Sequence, residues 1–271
     1  MEGPSMINKT LYRREMKKSI NMLLFFMAVL TMYVVIIIGF YDPKMMKMLD
    51  SFHSMMPGLM AAVGMRAGTT NLLGFMVSYL YGFIFIVFPM IFSILRANGL
   101  IAKYVDDGSM AVLLSAPVKR KTIAVTQLAV LLSGVCLLML YTTALELIVI
   151  GHLYPHELMV ADLLKLNLAL LFSHLFIAGI CFLFSCIFSQ SNYSLTFGAG
   201  IPTLMYIFQM LANVGKKAQI FKYFTFFTLF DPNSIVAKEA GAFIGPIILF
   251  VGAIALYLLG GVIFCKKDMS L

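Results

Sequence analysis

Long apolar runs alternate with short polar stretches along the 271-residue chain. At 1.5 Å of rise per residue, about 20 helical residues cross the roughly 30 Å hydrocarbon core of a bilayer. The runs place membrane spans at about 19–41, 67–95, 122–150, 163–188, 195–213 and 240–265. The fourth and fifth come from one stretch, Leu166 to Gly215, that carries no formal charge and is about twice the length one helix needs. It must fold as a hairpin, and the polar cluster from Ser189 to Ser194 marks the turn. Pro89 predicts a kink near the cytoplasmic end of the second span, and Pro246 sits near the start of the sixth. The expected fold is therefore an all-α polytopic membrane protein with six transmembrane helices.

The polar stretches have patterns of their own. Residues 6–18 mix Ile7, Leu11 and Met16 with Lys9, Arg13, Arg14, Lys17 and Lys18, the pattern of a basic amphipathic helix or of a charged flank that fixes orientation. Between the first two spans Met45, Leu49, Phe52 and Met56 recur at helical spacing until Pro57-Gly58, predicting an outer amphipathic helix. Between the second and third spans, Asp107 or Ser109 can cap a short helix over Met110–Ser115, and Pro117 sets its stop at Ala116. That helix shows Met110, Leu113 and Leu114 on one side, which a plain solvated loop would not need. Two acceptors remain open, the lipid surface and a groove in a cytoplasmic partner. The segment 216–239 holds a core, Phe221 to Phe230, too short to span and too aromatic for water, which predicts an interfacial or re-entrant piece followed by a helix start at Asp231-Pro232-Asn233-Ser234.

Composition agrees with the pattern: 61% of residues are hydrophobic and 12% charged, against roughly 25% charged in soluble domains. The net charge of +8 does not read as a nucleic-acid footprint, because the basic residues sit at the ends of apolar runs. They act as topology signals and headgroup contacts, so membrane lipids are partners and nucleic acid is not. Of the 20 Lys and Arg, twelve fall on the side that holds residues 6–18, the loop 96–121 and Lys266-Lys267. The positive-inside bias puts both termini and that loop in the cytoplasm. Cys136, Cys181, Cys186 and Cys265 lie in or beside apolar runs and read as packing residues. The opening Met-Glu-Gly-Pro-Ser ahead of Met6 reads as an added leader over residues 1–5, which leaves a single domain over 6–271.

Candidate chemistry is sparse. Glu146 near the outer end of the third span either faces the bundle, as a functional group, or snorkels to the headgroups. His174 reads as a packing histidine held by a hydrogen bond rather than a proton carrier. His152 and His156 share a helical spacing, but Pro155 between them favours a turn, and no metal site is expected. No Gly-x-x-x-x-Gly-Lys-Ser/Thr stretch occurs, so no cofactor, ATP included, is expected on this chain. Neither an acid relay of the ion-coupled kind nor a nucleophile–base set is visible, which disfavours a secondary carrier and an enzyme. Gly198, Gly200 and Pro202 make the fifth span a helix that can pack closely or break, a candidate for the pathway or a dimer face.

The stretch from Asp106-Asp107-Gly108-Ser109 through the apolar run to Leu114, then Ser115-Ala116-Pro117-Val118-Lys119-Arg120, resembles the first cytoplasmic loop of ABC-2-type transporter permeases. The ending Val262-Ile-Phe-Cys-Lys-Lys-Asp268 is similar to that family's usual C-terminus, and with the six-span layout the resemblance covers nearly the whole chain. It implies that Asp106, Asp107, Gly108, Ser109, Met110, Leu113, Leu114 and Pro117 form a coupling helix that contacts a separate cytoplasmic ATPase, where ATP and Mg would bind. It further implies export as the usual direction and residence in a plasma membrane of bacterial kind; six helices with Gly and Ala faces enclose a large cargo poorly, so a second permease copy, as homodimer or heterodimer, is expected to complete a twelve-helix pathway. Among relatives the chain looks most like small permeases of bacterial peptide exporters, including those for phenol-soluble modulins. The alternatives are export of a drug, lipid or ion by the same mechanism, or a non-transporting membrane scaffold or immunity protein.

Overall fold

The computed structural model describes residues 6–42, 51, 54–65 and 71–267. Among them every regular element is helical, and six helices are long and apolar enough to cross a membrane. The elements are α1 (Lys9–Gly39), α2 (Pro57–Ala62), α3 (Leu72–Met76), α4 (Ile84–Leu100), α5 (Ala102–Asp106), α6 (Ser109–Ser115), α7 (Arg120–Leu153), α8 (Val160–Ile187), α9 (Ser191–Val214), α10 (Pro232–Val236) and α11 (Ile244–Lys266). A π-helical turn, Val77–Tyr81, joins α3 to a break at Gly82–Phe83, so α3, this turn, α4 and α5 together make the second span.

The fourth span, α8, is the centre of the bundle, packed against α11, α9, α4 and α7. Lipid tails are as apolar as the side chains, so helices in a membrane associate through close packing at small residues. The α8–α11 seam follows this rule. A Cβ placed on Gly252 would stand 2.8 Å from the Phe176 ring, and one on Gly260 would stand 3.0 Å from the Phe182 ring.

Several sequence expectations change in detail. The amphipathic segment over 6–18 is not a separate helix: nothing between Lys18 and Ser19 breaks the backbone, and α1 runs unbroken for 31 residues. Its buried stripe Leu11, Glu15, Ser19, Leu23, Phe26, Leu30, Val34, Ile38 continues from the basic part into the apolar part. The basic part therefore packs on the bundle. Helix α4 continues through Pro89, and the interruption of the second span lies instead at Gly82–Phe83. That span also runs on past residue 95, so Arg96 is a helical, buried residue and not part of an exposed loop. The polar cluster Ser191–Ser194 is the first turn of α9, which confines the hairpin turn to Phe188–Gln190.

The expected helix at Met45, Leu49 and Phe52 lies outside the described residues. The helical residues Ser54 and Met55 give way to a bend at Met56, so a helix does stop just ahead of Pro57, which itself stands at the first position of α2, where its missing N–H costs nothing. The aromatic segment forms two 3-10 turns, Lys216–Phe224 and Phe226–Leu229, laid on the ends of α9 and α11. Asp231 then caps α10, accepting the Asn233 N–H at 3.0 Å, with Pro232 following as the sequence implied. His152 lies in the last turn of α7 and His156 falls in a 3-10 turn, Pro155–Glu157. The neighbouring Glu157 accepts the Leu72 N–H at 2.9 Å, satisfying a free donor at the start of α3.

Candidate functional site: the loop between the second and third spans and its buried stem

The loop between the second and third spans folds as a short helix on a fixed base. Gly108 adopts φ +73°, a left-handed conformation that costs a residue without Cβ nothing. Asp107 Oδ1 accepts the Ser109 N–H at 3.0 Å and the Ser109 hydroxyl at 2.5 Å. Those two hydrogen bonds hold the Asp107 carboxyl below the usual carboxylate range. Helix α6 follows and stops where expected: Ala116 is extended at ψ 152°, the conformation that Pro117 imposes on the residue before it.

The apolar stripe of α6 does not all point outward. Met110 is fully buried, and Leu113 and Leu114 are half-buried against the chain's own core. Seven residues of helix suffice to seal the underside of the bundle, so the stripe finds part of its acceptor within its own molecule. Val112 is left 73% exposed. Asp106, Asp107, Gly108, Ser115, Ala116 and Pro117 are exposed around it.

Beneath the loop lies a buried polar cluster that sequence reasoning missed. Glu15, in α1, has no exposed surface. Arg96 Nη2 donates to its carboxylate at 3.1 Å and to its backbone carbonyl at 2.8 Å. The Tyr104 hydroxyl of α5 donates to the other carboxylate oxygen at 2.5 Å, and Lys18 Nζ stands 3.2 Å from it while donating to Tyr104 Oη at 2.6 Å. The helix that enters the loop is thus fastened to α1. The helix that leaves it is fastened too: Thr126 Oγ1 accepts the Asn8 N–H at 2.9 Å, and the Tyr12 hydroxyl donates to Ser133 Oγ at 2.8 Å. A signal was present in the sequence, since Glu15 falls on the four-residue repeat of Leu11, Ser19 and Leu23.

A second clamp closes the same face. Arg120 donates to the Lys267 carbonyl at 2.9 Å, and Lys267 Nζ donates to the Ile187 and Cys186 carbonyls at 2.9 and 3.3 Å. A lysine on the last carbonyls of a helix satisfies their lone pairs and opposes the dipole. Burial draws the Lys267 ammonium below its ordinary pKa.

Glu146 faces the bundle and not the headgroups. It is fully buried, with the Tyr81 hydroxyl 3.0 Å from Oε1 and the Asn167 amide donating to Oε2 at 2.6 Å. Tyr81 Oη also stands 3.1 Å from Asn167 Oδ1, so the three residues close a ring across the second, third and fourth spans. His174 is held by the Phe85 carbonyl at 2.7 Å. The fifth-span candidates separate. Gly198 and Pro202 are buried, and Cys181 donates its thiol to the Gly198 carbonyl at 3.2 Å. Gly200 is exposed, and a Cβ there would meet nothing within 4 Å.

Six membrane-crossing helices, four of which pack on the fourth span, with a short helix on the loop between the second and third, define a multi-pass membrane protein. A family model described as ABC-2 family transporter protein matches residues 9–269, and the chain belongs to that family. It is accordingly the membrane subunit of an ABC transporter, of a kind that associates with an ATPase subunit. No curated protein and no solved structure matched the chain.

Proposed function

We propose that this chain is the permease of an ATP-driven exporter of amphipathic or hydrophobic peptides, and that its ATPase docks on the loop around α6. The observation that carries the coupling reading is the division of α6 between an anchored and an offered side. Met110 is sunk into the bundle while Val112 stands in the open on a helix whose first N–H, that of Ser109, is held by Asp107. Such a helix moves as one body with the two spans it joins, which is what force transmission from a soluble engine requires.

Val112→Asp tests the docking. The side chain is exposed, so folding and membrane insertion should be unchanged. Placing a charge in an apolar contact should remove about 2–3 kcal/mol of binding, roughly a hundredfold in affinity. The ATPase that co-purifies with the chain from native membranes should be lost from the variant. Recovery of that ATPase at wild-type yield, with transport intact, would overturn the assignment.

The pathway needs a second copy of the permease, and the open side of α9 is the face proposed for it. Gly200→Phe should weaken cross-linking between copies in native membranes while leaving thermal unfolding of the purified chain unchanged. Gly198→Phe should do the reverse, because a Cβ at Gly198 already stands 3.6 Å from Cys181 Cα in the same chain. Identical behaviour of the two variants would remove the assignment of faces.

A further inference from the structure

At its outer end the second span is not a regular helix. The π-helical turn Val77–Tyr81 gives way to the break at Gly82–Phe83, where Phe83 has φ −135° and ψ −61°, before α4 resumes. Backbone that leaves the helix at membrane depth is tolerated where protein buries it or where it lines a cavity, and π-turns gather at functional sites. Both conditions hold. The Gly82 carbonyl accepts the Tyr206 hydroxyl at 2.7 Å, and the break forms one wall of a cavity of about 400 Å³. The end of α9, the end of α2 and the turns after α9 supply the other walls. The volume lies within the roughly 300–1,000 Å³ of small-ligand sites.

The walls combine apolar surface, Met210 and Phe227 among it, with neutral carboxamides at Gln209 and Asn213. A carboxamide offers both donors and an acceptor. Gln209 Nε2 donates to Asn213 Oδ1 at 3.2 Å, and Gln209 Oε1 has no partner. The charged lining residues, Lys222 and Asp231, are of opposite sign, and Asp231 is committed to capping α10. There is no excess of positive charge for a phosphate. We infer that this cavity binds a short stretch of peptide, its main-chain amides on the carboxamides and its apolar side chains on the Met210 and Phe227 side. Tyr81, fully buried behind the cavity wall, closes the ring to Glu146 and Asn167, so the wall an occupant would press on rests on a residue bonded to the third and fourth spans. As a place where cargo is held before release, the site rests on the permease reading. Binding itself is a property of this chain alone.

The chain contains no tryptophan, so a single introduced one reports on the cavity without background. Met210→Trp, with Met65→Trp as a second lining reporter, is placed in phosphatidylcholine nanodiscs and titrated with N-acetyl-Leu-Phe-Leu-amide. A saturable fluorescence change is expected, and Gln209→Leu or Asn213→Leu should weaken it at least tenfold without altering thermal unfolding. A reporter at Leu258→Trp, on the exposed side of α11, should give no saturable change. Absence of saturation with both lining reporters would overturn the site, as would unweakened affinity in both carboxamide variants or a response confined to short-chain phosphatidylglycerol. A chain that binds the peptide but retains no ATPase overturns the permease reading alone. One that retains the ATPase but binds no peptide overturns this site alone.

Discussion

Arg96→Ala is expected to destabilise the chain by about 3–5 kcal/mol, because it leaves the Glu15 carboxylate buried without its principal cation. The loss is asymmetric by nature. A buried pair adds little net stability over a well-packed apolar pair, but half of one is a desolvated charge with no counterpart. Lys18, the other cation near Glu15, is 47% exposed, and Lys18→Ala should cost no more than about 1 kcal/mol. Thermal unfolding in detergent, with SDS titration as a second measure, distinguishes the two. Equal losses would show that Arg96 does not hold the cluster. Replacing both partners, Glu15→Leu with Arg96→Met, should recover most of the stability, since the site then needs no charge at all.

Gly245→Ala should be the most damaging substitution of a glycine. Its Cβ would lie 2.1 Å from the Leu229 carbonyl oxygen, 2.9 Å from that carbonyl carbon and 3.0 Å from Leu229 Cα. These are backbone atoms, so no rotamer relieves the overlap, and the turn Phe226–Leu229 must lift off α11. The cost should fall at the upper end of the about 1–3 kcal/mol typical of overpacking. Proteolysis between residues 216 and 230 should accelerate with it. Gly261, where a Cβ meets nothing within 4 Å, is the control, and Gly261→Ala should be neutral in both assays.

What the sequence made legible followed from one-dimensional patterns. Span number and order came from run length, because hydrocarbon thickness imposes a near-fixed count of apolar residues. Helix α6 was legible at both ends, since Asp107 and Pro117 act on their immediate neighbours. What escaped depended on partners far along the chain. Arg96 looked like a flanking charge until Glu15, 81 positions away, was seen beside it. Met110 carried the stripe of a docking surface, and the stripe alone could not tell an acceptor in another protein from one in its own bundle. The π-turn and the break at Gly82–Phe83 left no mark that a reading of Pro89 as the kink could find. Glu146 was placed correctly along its helix but not around it, because the residues that meet it, Tyr81 and Asn167, belong to two other spans.

The unbroken course of α1 has a mechanical consequence. Its 31 residues reach about 46 Å, some 16 Å more than a bilayer core. Lys9, Arg13, Arg14, Lys17 and Lys18 sit on that surplus, and so does Glu15 with its grip on Tyr104. The helix is a lever with its fulcrum at the membrane face. A change in tilt of about 10° swings the short arm by about 3 Å, and tilt is what a helix adjusts when bilayer thickness changes. Torque from the lipid thus arrives at the same stem that carries α6, and ATP hydrolysis by the assembled transporter should vary with acyl-chain length in reconstituted membranes.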